Sequence, residues 1–213
     1  MNFNQFLKAT SKISNLELPA EASQFKMSPP FREALLKQQQ SKIKNAKQSA
    51  VMALFYPDEE QETKFVLILR KTYKGVHSAQ VGFPGGKVEI EDTSLKHTAL
   101  RETEEEIGVP MQTIETLKAL TQVYIPPSNF YVQPFLGYSV SRPNFIKQES
   151  EVEDILEVSL AHFLEEQNVV TKYVSTSYNR DVEVPAYKLN NHIVWGATAM
   201  MLSEIKDLLK LAL

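Results

Sequence analysis

The sequence predicts an α/β fold, a mixed β-sheet packed between helices. Three observations carry that expectation. Short apolar runs that read as strands alternate along the chain with segments whose apolar residues recur at helical spacing. The chain has 213 residues and is 43% hydrophobic, enough for one sizeable buried core. It has no cysteine, so neither disulfides nor thiolate metal sites stand in for that core. The expected organisation is a single domain over 1–213, with residues 1–47 a helical extension packed on it.

Residues 2–15 and 31–47 read as helices, separated by LPAEASQFKMSPP. Phe3, Phe6 and Leu7 give the first of them a short apolar stripe. The run KQQQSKIKNAKQ is polar and reads as a helix end or linker. Residues 49–56 form a strand, PDEEQET a charged turn, and 64–70 the returning strand of a hairpin. Residues 71–79 are a loop and 80–83 a short strand. A helix then runs to Ile107, with Asp92 or Thr93 as N-cap and Gly108 as C-cap. Leu100, Thr103 and Ile107 fall together on its core-facing side. Strands over 115–124 and 130–138 flank a turn at Pro126 and Pro127. Residues 153–158 are a strand, 159–166 a short helix, and 169–176, 181–188 and 192–195 three further strands. Residues 196–211 form an amphipathic helix anchored by Met200, Leu202, Ile205, Leu208 and Leu209. No internal repeat is present.

Composition narrows the function. The net charge is −3 and the pI about 5.9, so no basic field invites nucleic acid. No apolar run is long enough to span a membrane. The N-terminal MNFNQFLKATSKISN lacks the apolar centre of a signal peptide. The absence of cysteine suits a reducing compartment. The expected setting is cytoplasmic.

Residues 82–109, GFPGGKVEIEDTSLKHTALRETEEEIGV, carry the chemistry. On a helix Glu102, Glu105 and Glu106 lie at about 0°, 300° and 40°, one stripe, with Glu104 opposite near 200°. Like charges at this spacing destabilise an isolated helix. A hard divalent cation turns that cost into a binding site, because Mg²⁺ and Mn²⁺ prefer carboxylate oxygens. The plain alternative is a solvated acidic face. Arg101 lies one turn before Glu105, close enough to orient it. Gly85 and Gly86 let backbone approach a ligand closely.

This stretch resembles the Nudix box, G-x5-E-x7-R-E-U-x-E-E-x-G-U with U apolar. Arg101, Glu102, Glu105, Glu106, Gly108 and Val109 take the box positions. Thr103 stands where an apolar residue is usual and Asp92 where the first Glu is usual. The spacing from Gly86 to Arg101 is one residue longer than standard. The last two features resemble the branch that hydrolyses coenzyme A. Ahead of the box, Arg70, His77, Gln80, Phe83, Pro84, Gly85 and Gly86 match that branch's upstream motif, with Ala79 in place of a glycine and Lys71-Thr72 in place of a serine. IPPSNFYVQPFLGY, EVEDILEV and VWGATAMML look similar too, so the resemblance runs from about Leu18 onward.

The resemblance implies a Nudix-type α/β/α sandwich with mixed β-sheet and additional N-terminal helices. It implies metal-dependent cleavage of the pyrophosphate of coenzyme A or acyl-CoA, with Mg²⁺ or Mn²⁺ as cofactor and a small-molecule nucleotide substrate as partner. The alternatives are another nucleoside diphosphate compound such as ADP-ribose, or a catalytically silent nucleotide-binding module. Glu102, Glu105 and Glu106 are the implied metal ligands, joined by the Gly86 carbonyl. Glu105 is alternatively the base, and the sequence does not separate the two roles. Glu151 and Glu153 read as a solvated strand edge, with a base outside the box as the other reading. Arg101 either touches phosphate or holds Glu105 or Asp92. Arg70, Gln80, Lys87 and His77 are the implied substrate-binding residues, with exposure the alternative for Lys87 and a structural hydrogen bond for His77. Lys71 and Lys74 either extend a basic patch around Arg70 that suits the 3′-phosphate or are scattered surface lysines. Trp195 and Phe83 read as core; Tyr124 and Phe130 read as buried in the sheet, or else stacked on adenine. A homodimer is compatible with the sequence.

Overall fold

Two strands running in the same direction organise the sheet, and everything near the box hangs on them. The computed structural model describes residues 1–72, 80–175 and 181–213. The extension comes first: α1 (Phe3–Asn15), α2 (Ala20–Gln24), a 3-10 turn, α3 (Arg32–Gln38) and α4 (Gln40–Ile43). Then follow β1 (Lys47–Pro57), β2 (Thr63–Arg70), β3 (Val81–Gly82), β4 (Gly85–Lys87) and α5 (Leu95–Ile107). Next are β5 (Glu115–Ala119), β6 (Val123–Ile125), β7 (Phe130–Tyr138), β8 (Val152–Ser159) and α6 (Leu160–Leu164). The chain ends with β9 (Val169–Val174), β10 (Val182–Leu189), β11 (His192–Trp195) and α7 (Gly196–Ala212).

β1 and β7 pair in parallel from Lys47↔Phe130 to Phe55↔Tyr138. The main sheet runs β3-β2-β1-β7-β5, and its other neighbours are antiparallel, so it is mixed. The outer edge of β1 is shared. β2 pairs with it at Phe55, Tyr56 and Pro57, while β4 pairs with it at Ser49, Ala50 and Val51. Beyond that point β2 leaves β1 and continues against β3 and β8. β9, β10 and β11 form a separate three-stranded sheet.

Strand periodicity creates the layers. Ala50, Met52, Leu54 and Tyr56 of β1 face Ala99 and Ile107 of α5 and Val109 just beyond it. Ala53 and Phe55 face the opposite way, into a core shared with α1 and α7. The result is an α/β/α arrangement. Phe6 of α1 is fully buried and stacks on Phe55 at 5.0 Å between ring centroids. Glu204 of α7 is fully buried yet well bonded: Thr121 Oγ1 donates to it at 2.6 Å and Gln24 Nε2 at 3.0 Å.

Most expected elements are present, and the departures have physical causes. The segment 31–47 is not one helix. It breaks between Gln38 and Gln40, and neither α3 nor α4 fully buries a residue that would hold it straight. The expected strand over 115–124 is divided, because Thr121 turns its amide and hydroxyl to Glu204 instead of to a neighbouring strand. The N-cap of α5 is Ser94, whose Oγ accepts the His97 N–H at 3.1 Å, rather than Asp92 or Thr93. Trp195 is not core but half-buried on a cavity wall, whereas Phe83 is buried as expected. Tyr124 is buried in the sheet and Phe130 half-buried beside it. The expected loop at 71–79 falls almost wholly outside the described residues.

Candidate active site

The shared edge of β1 brings β4 alongside α5. Gly85 has φ +150, and a Cβ there would lie 2.3 Å from the Ala50 carbonyl oxygen. Only glycine permits β4 to approach β1 in this way. At Gly86 a Cβ would lie 2.4 Å from the Glu102 carboxylate. Glu102 therefore rests directly on the turn backbone.

Exposure rises steeply across the carboxylate stripe. Glu106 is 1% exposed, the Glu102 side chain 13% and the Glu105 side chain 51%. Glu106 Oε2 accepts the Gly85 N–H at 2.8 Å. Its Oε1 lies 3.2 Å from Arg70 Nη2 but takes part in no hydrogen bond. Arg70 donates to the Gly85 carbonyl at 2.6 Å. Burial pushes the Glu106 carboxyl up to about 7; Glu102 and Glu151 add to the rise, while Arg70 and the Gly85 N–H oppose it. Glu102 is raised as well, again chiefly by burial and against Arg101.

Arg101 is the organising cation. Its Nε and Nη2 donate to the two oxygens of Asp92, each at 3.0 Å. Its Nη1 donates to Glu105 at 3.0 Å, and Nη2 lies 3.0 Å from Glu102 Oε1. The same Nη2 reaches the Lys87 carbonyl at 3.2 Å. The Arg101 guanidinium holds Asp92 well below the usual carboxylate range, and Asp92 in turn receives Thr98 and the Glu89 N–H. The sequence left Arg101 open between touching phosphate and holding Glu105 or Asp92; in the structure it holds both acids.

The end of α5 is fixed too. Gly108 closes it in the left-handed conformation at φ +72. Ile146 N–H donates to the Ile107 carbonyl at 2.9 Å and Gln148 N–H to the Glu106 carbonyl at 3.0 Å. The turn that leads into β8 carries Glu151 to the site.

A cavity of about 580 Å³ opens over this constellation. Gly86, Glu102, Glu105 and Glu151 line its acidic part, and Arg70, Gln80 and Lys87 line it as well. Glu106 sits behind them, in contact with Arg70 and Gly85. His77 and Lys74 lie outside the described residues. Glu151, read from the sequence as a strand edge, joins the site; exposed Glu153 is not among the lining residues. Among the described residues no three acidic or histidine side chains converge to a cation-holding group. The arginines explain why: Arg101 draws Glu102 and Glu105 to itself, and Arg70 draws Glu106. Sequence reasoning passed over Arg32, which lines the far part of the cavity. It is distant in sequence from every contact it makes there, so no spacing rule reveals it.

The NUDIX domain model matches residues 46–175. The chain belongs to the Nudix family. The match contains β1 to β9 and the whole box, and leaves α1 to α4, β10, β11 and α7 outside it. Among Nudix relatives, the chain is 35% identical over 133 residues to mouse mitochondrial coenzyme A diphosphatase NUDT8, covering 60% of this chain and 61% of the relative. The human counterpart is 33% identical over 128 residues, 54% of its length. The chain thus spans between half and two thirds of these two relatives. The Nudix hydrolase NudL of Yersinia pestis, itself uncharacterized, is 30% identical over 149 residues, 68% of this chain and 71% of that one. Among solved Nudix structures, a MutT/nudix family protein from Enterococcus faecalis superposes with a TM-score of 0.52 at 19% identity, covering 78% of this chain and 62% of that chain. At that identity the likeness establishes the fold alone.

Proposed function

We propose that this Nudix protein is a metal-dependent pyrophosphohydrolase acting on coenzyme A or acyl-CoA. The products are 4′-phosphopantetheine, or its acyl form, and adenosine 3′,5′-bisphosphate. The observation that carries the reading is the buried Glu106 carboxylate, with one oxygen lacking any hydrogen bond, set behind Glu102 and Gly86 at a large cavity. An acid that burial pushes up to about 7, with Glu102 and Glu151 adding to the rise, fits a site that a cation completes. Glu102, Glu105, Glu106 and the Gly86 carbonyl would hold Mg²⁺ or Mn²⁺, all of them hard oxygen donors. When bound, such a cation offsets the charge of the pyrophosphate and acidifies water beside it.

The residues divide the remaining work. Glu105, half exposed at the cavity, takes a proton from attacking water; Glu151, in the turn before β8, is the alternative. Arg101 fixes Glu102 and Glu105 through Asp92, which receives it in a two-point clamp. Lys87 stands at the cavity, where a phosphate oxygen would meet it. The choice of coenzyme A is supported by the mouse and human relatives, which are named for that substrate.

Product identification tests the reading. Incubation with coenzyme A and Mg²⁺ or Mn²⁺, followed by mass spectrometry, is expected to yield 4′-phosphopantetheine and adenosine 3′,5′-bisphosphate. Faster turnover of ADP-ribose than of coenzyme A with both metals would overturn the substrate assignment.

A further inference from the structure

Arg32 lines the cavity from α3, where its Nη2 donates to the Tyr124 carbonyl at 2.8 Å. Its Nε is buried and has no hydrogen-bond partner. Among the described residues no carboxylate lies within ion-pair distance of it. Burial pushes the guanidinium down to about 10, with Glu21 and Tyr131 acting weakly in the other direction. A largely buried cation with no carboxylate in contact is costly, and one at a cavity wall gains most from a ligand anion. A guanidinium has five donors in a planar fork. The bond to the Tyr124 carbonyl uses one, and the fork suits two phosphate oxygens.

The other cations at this cavity are less suited. Arg70 is occupied by Gly85 and Glu106, and Lys87 is exposed. The sheet gives the separation of the two poles. Gly86 pairs with Ala50, Ala50 with Gln133, and Tyr131 with Tyr124 on the next strand. Three strand spacings place the Tyr124 backbone about 14 Å sideways from Gly86, with two residues of offset along the strands. Phe31, Leu35, Ile125, Phe130 and Trp195 line the same cavity and provide apolar and aromatic wall.

We propose that Arg32 binds a phosphate monoester on the nucleoside half of the substrate, across the cavity from the carboxylates that address the pyrophosphate. This deepens the coenzyme A reading and rests on it: the group in question is the 3′-phosphate, and the intervening wall receives the base. Arg32 is thereby a specificity residue and takes no part in bond cleavage.

The test compares coenzyme A with 3′-dephospho-coenzyme A on the full chain with Mg²⁺. The parent is expected to favour coenzyme A. Arg32→Gln should raise KM for coenzyme A by about tenfold or more, the scale of a lost charged hydrogen bond, and leave dephospho-coenzyme A unchanged. Arg32→Lys keeps the charge and should fall between. Equal effects on both substrates, or none on either, would overturn the proposal. Calorimetric binding of adenosine 3′,5′-bisphosphate against adenosine 5′-monophosphate gives a readout independent of turnover. A preference for the bisphosphate that disappears in Arg32→Gln supports the inference even if coenzyme A is not cleaved, in which case the proposed reaction fails alone. Cleavage of coenzyme A with no such preference means that the reaction stands and the role of Arg32 does not. If Arg32→Gln does not fold, Arg32→Lys and the parent's own discrimination between the two nucleotides decide.

Discussion

Gly85 and Gly86 are neighbours with different duties. An alanine at 85 meets the backbone of Ala50 and a φ that L residues avoid, and neither can yield. Gly85→Ala is expected to cost roughly 2–4 kcal/mol, read as a lower urea midpoint. An alanine at 86 meets only the mobile end of Glu102. Gly86→Ala should stay within about 1 kcal/mol of the parent. Its hydrolysis rate should fall on the order of 10²-fold, because displacing a positioned group by about an ångström costs that much. Glu105→Gln should also lose about 10²-fold or more in kcat, whether the residue is ligand or base. Unchanged turnover would remove Glu105 from both roles. The stripe of Glu102, Glu105 and Glu106 was legible because helical spacing fixes it, and the close approach at Gly85 and Gly86 because glycine is the residue that permits it. Glu151 was left between a solvated edge and a role at the site, because its place at the cavity depends on how β8 pairs with β2, which local sequence does not encode. Arg32 was missed for the same reason on a larger scale.

The helix α5 depends on a buried clamp at its start. Asp92 has a fully buried side chain that receives Arg101, Thr98 and the Glu89 N–H, with His97 Nδ1 2.9 Å away. Asp92→Asn should destabilise the protein by roughly 2–4 kcal/mol at neutral pH, since it leaves Arg101 half paired. The pH dependence has a definite sign. The folded-state pKa of Asp92 is depressed, so its stabilisation is present above the unfolded value of about 3.9 and is lost as pH falls towards the folded value. Urea titrations from pH 7 downward should show the gap between parent and variant narrowing below about pH 4. A gap that widened there would contradict the clamp. That a helix runs to Ile107 and stops at Gly108 was readable from its apolar spacing and the glycine. Its cap was not: Asp92 and Ser94 are both good N-caps by type, and tertiary pairing with Arg101 decided between them. The divided edge at β5 and β6 was equally hidden, since the buried Glu204 that diverts Thr121 comes 83 residues later.

At the scale of the whole molecule, the N-terminal extension is part of the core. Phe3 and Phe6 are buried with Phe55, and Lys12 donates to the Ala212 carbonyl at 2.9 Å, joining the first helix to the last. We propose that 1–213 unfolds as one unit. Phe6→Ala should cost about 3–5 kcal/mol and lower a single thermal transition, not split off a separate one. Two transitions by calorimetry would show that α1 is an appendage. The layered architecture was readable from the order in which strand and helix patterns follow one another along the chain.

The backbone bonds from residues 146 and 148 to the last carbonyls of α5 have a mechanical consequence. Gln148 also accepts the Glu151 N–H at 3.2 Å, so the approach to Glu151 is tethered to Glu106 through main chain at every link. The backbone beneath the two acids thus keeps a set separation, and the charge of Glu151 adds to the rise of the Glu106 carboxyl. Arg70, 3.2 Å from Glu106, offsets part of that burden from the other side, so the acid is braced between an attracting and an opposing charge.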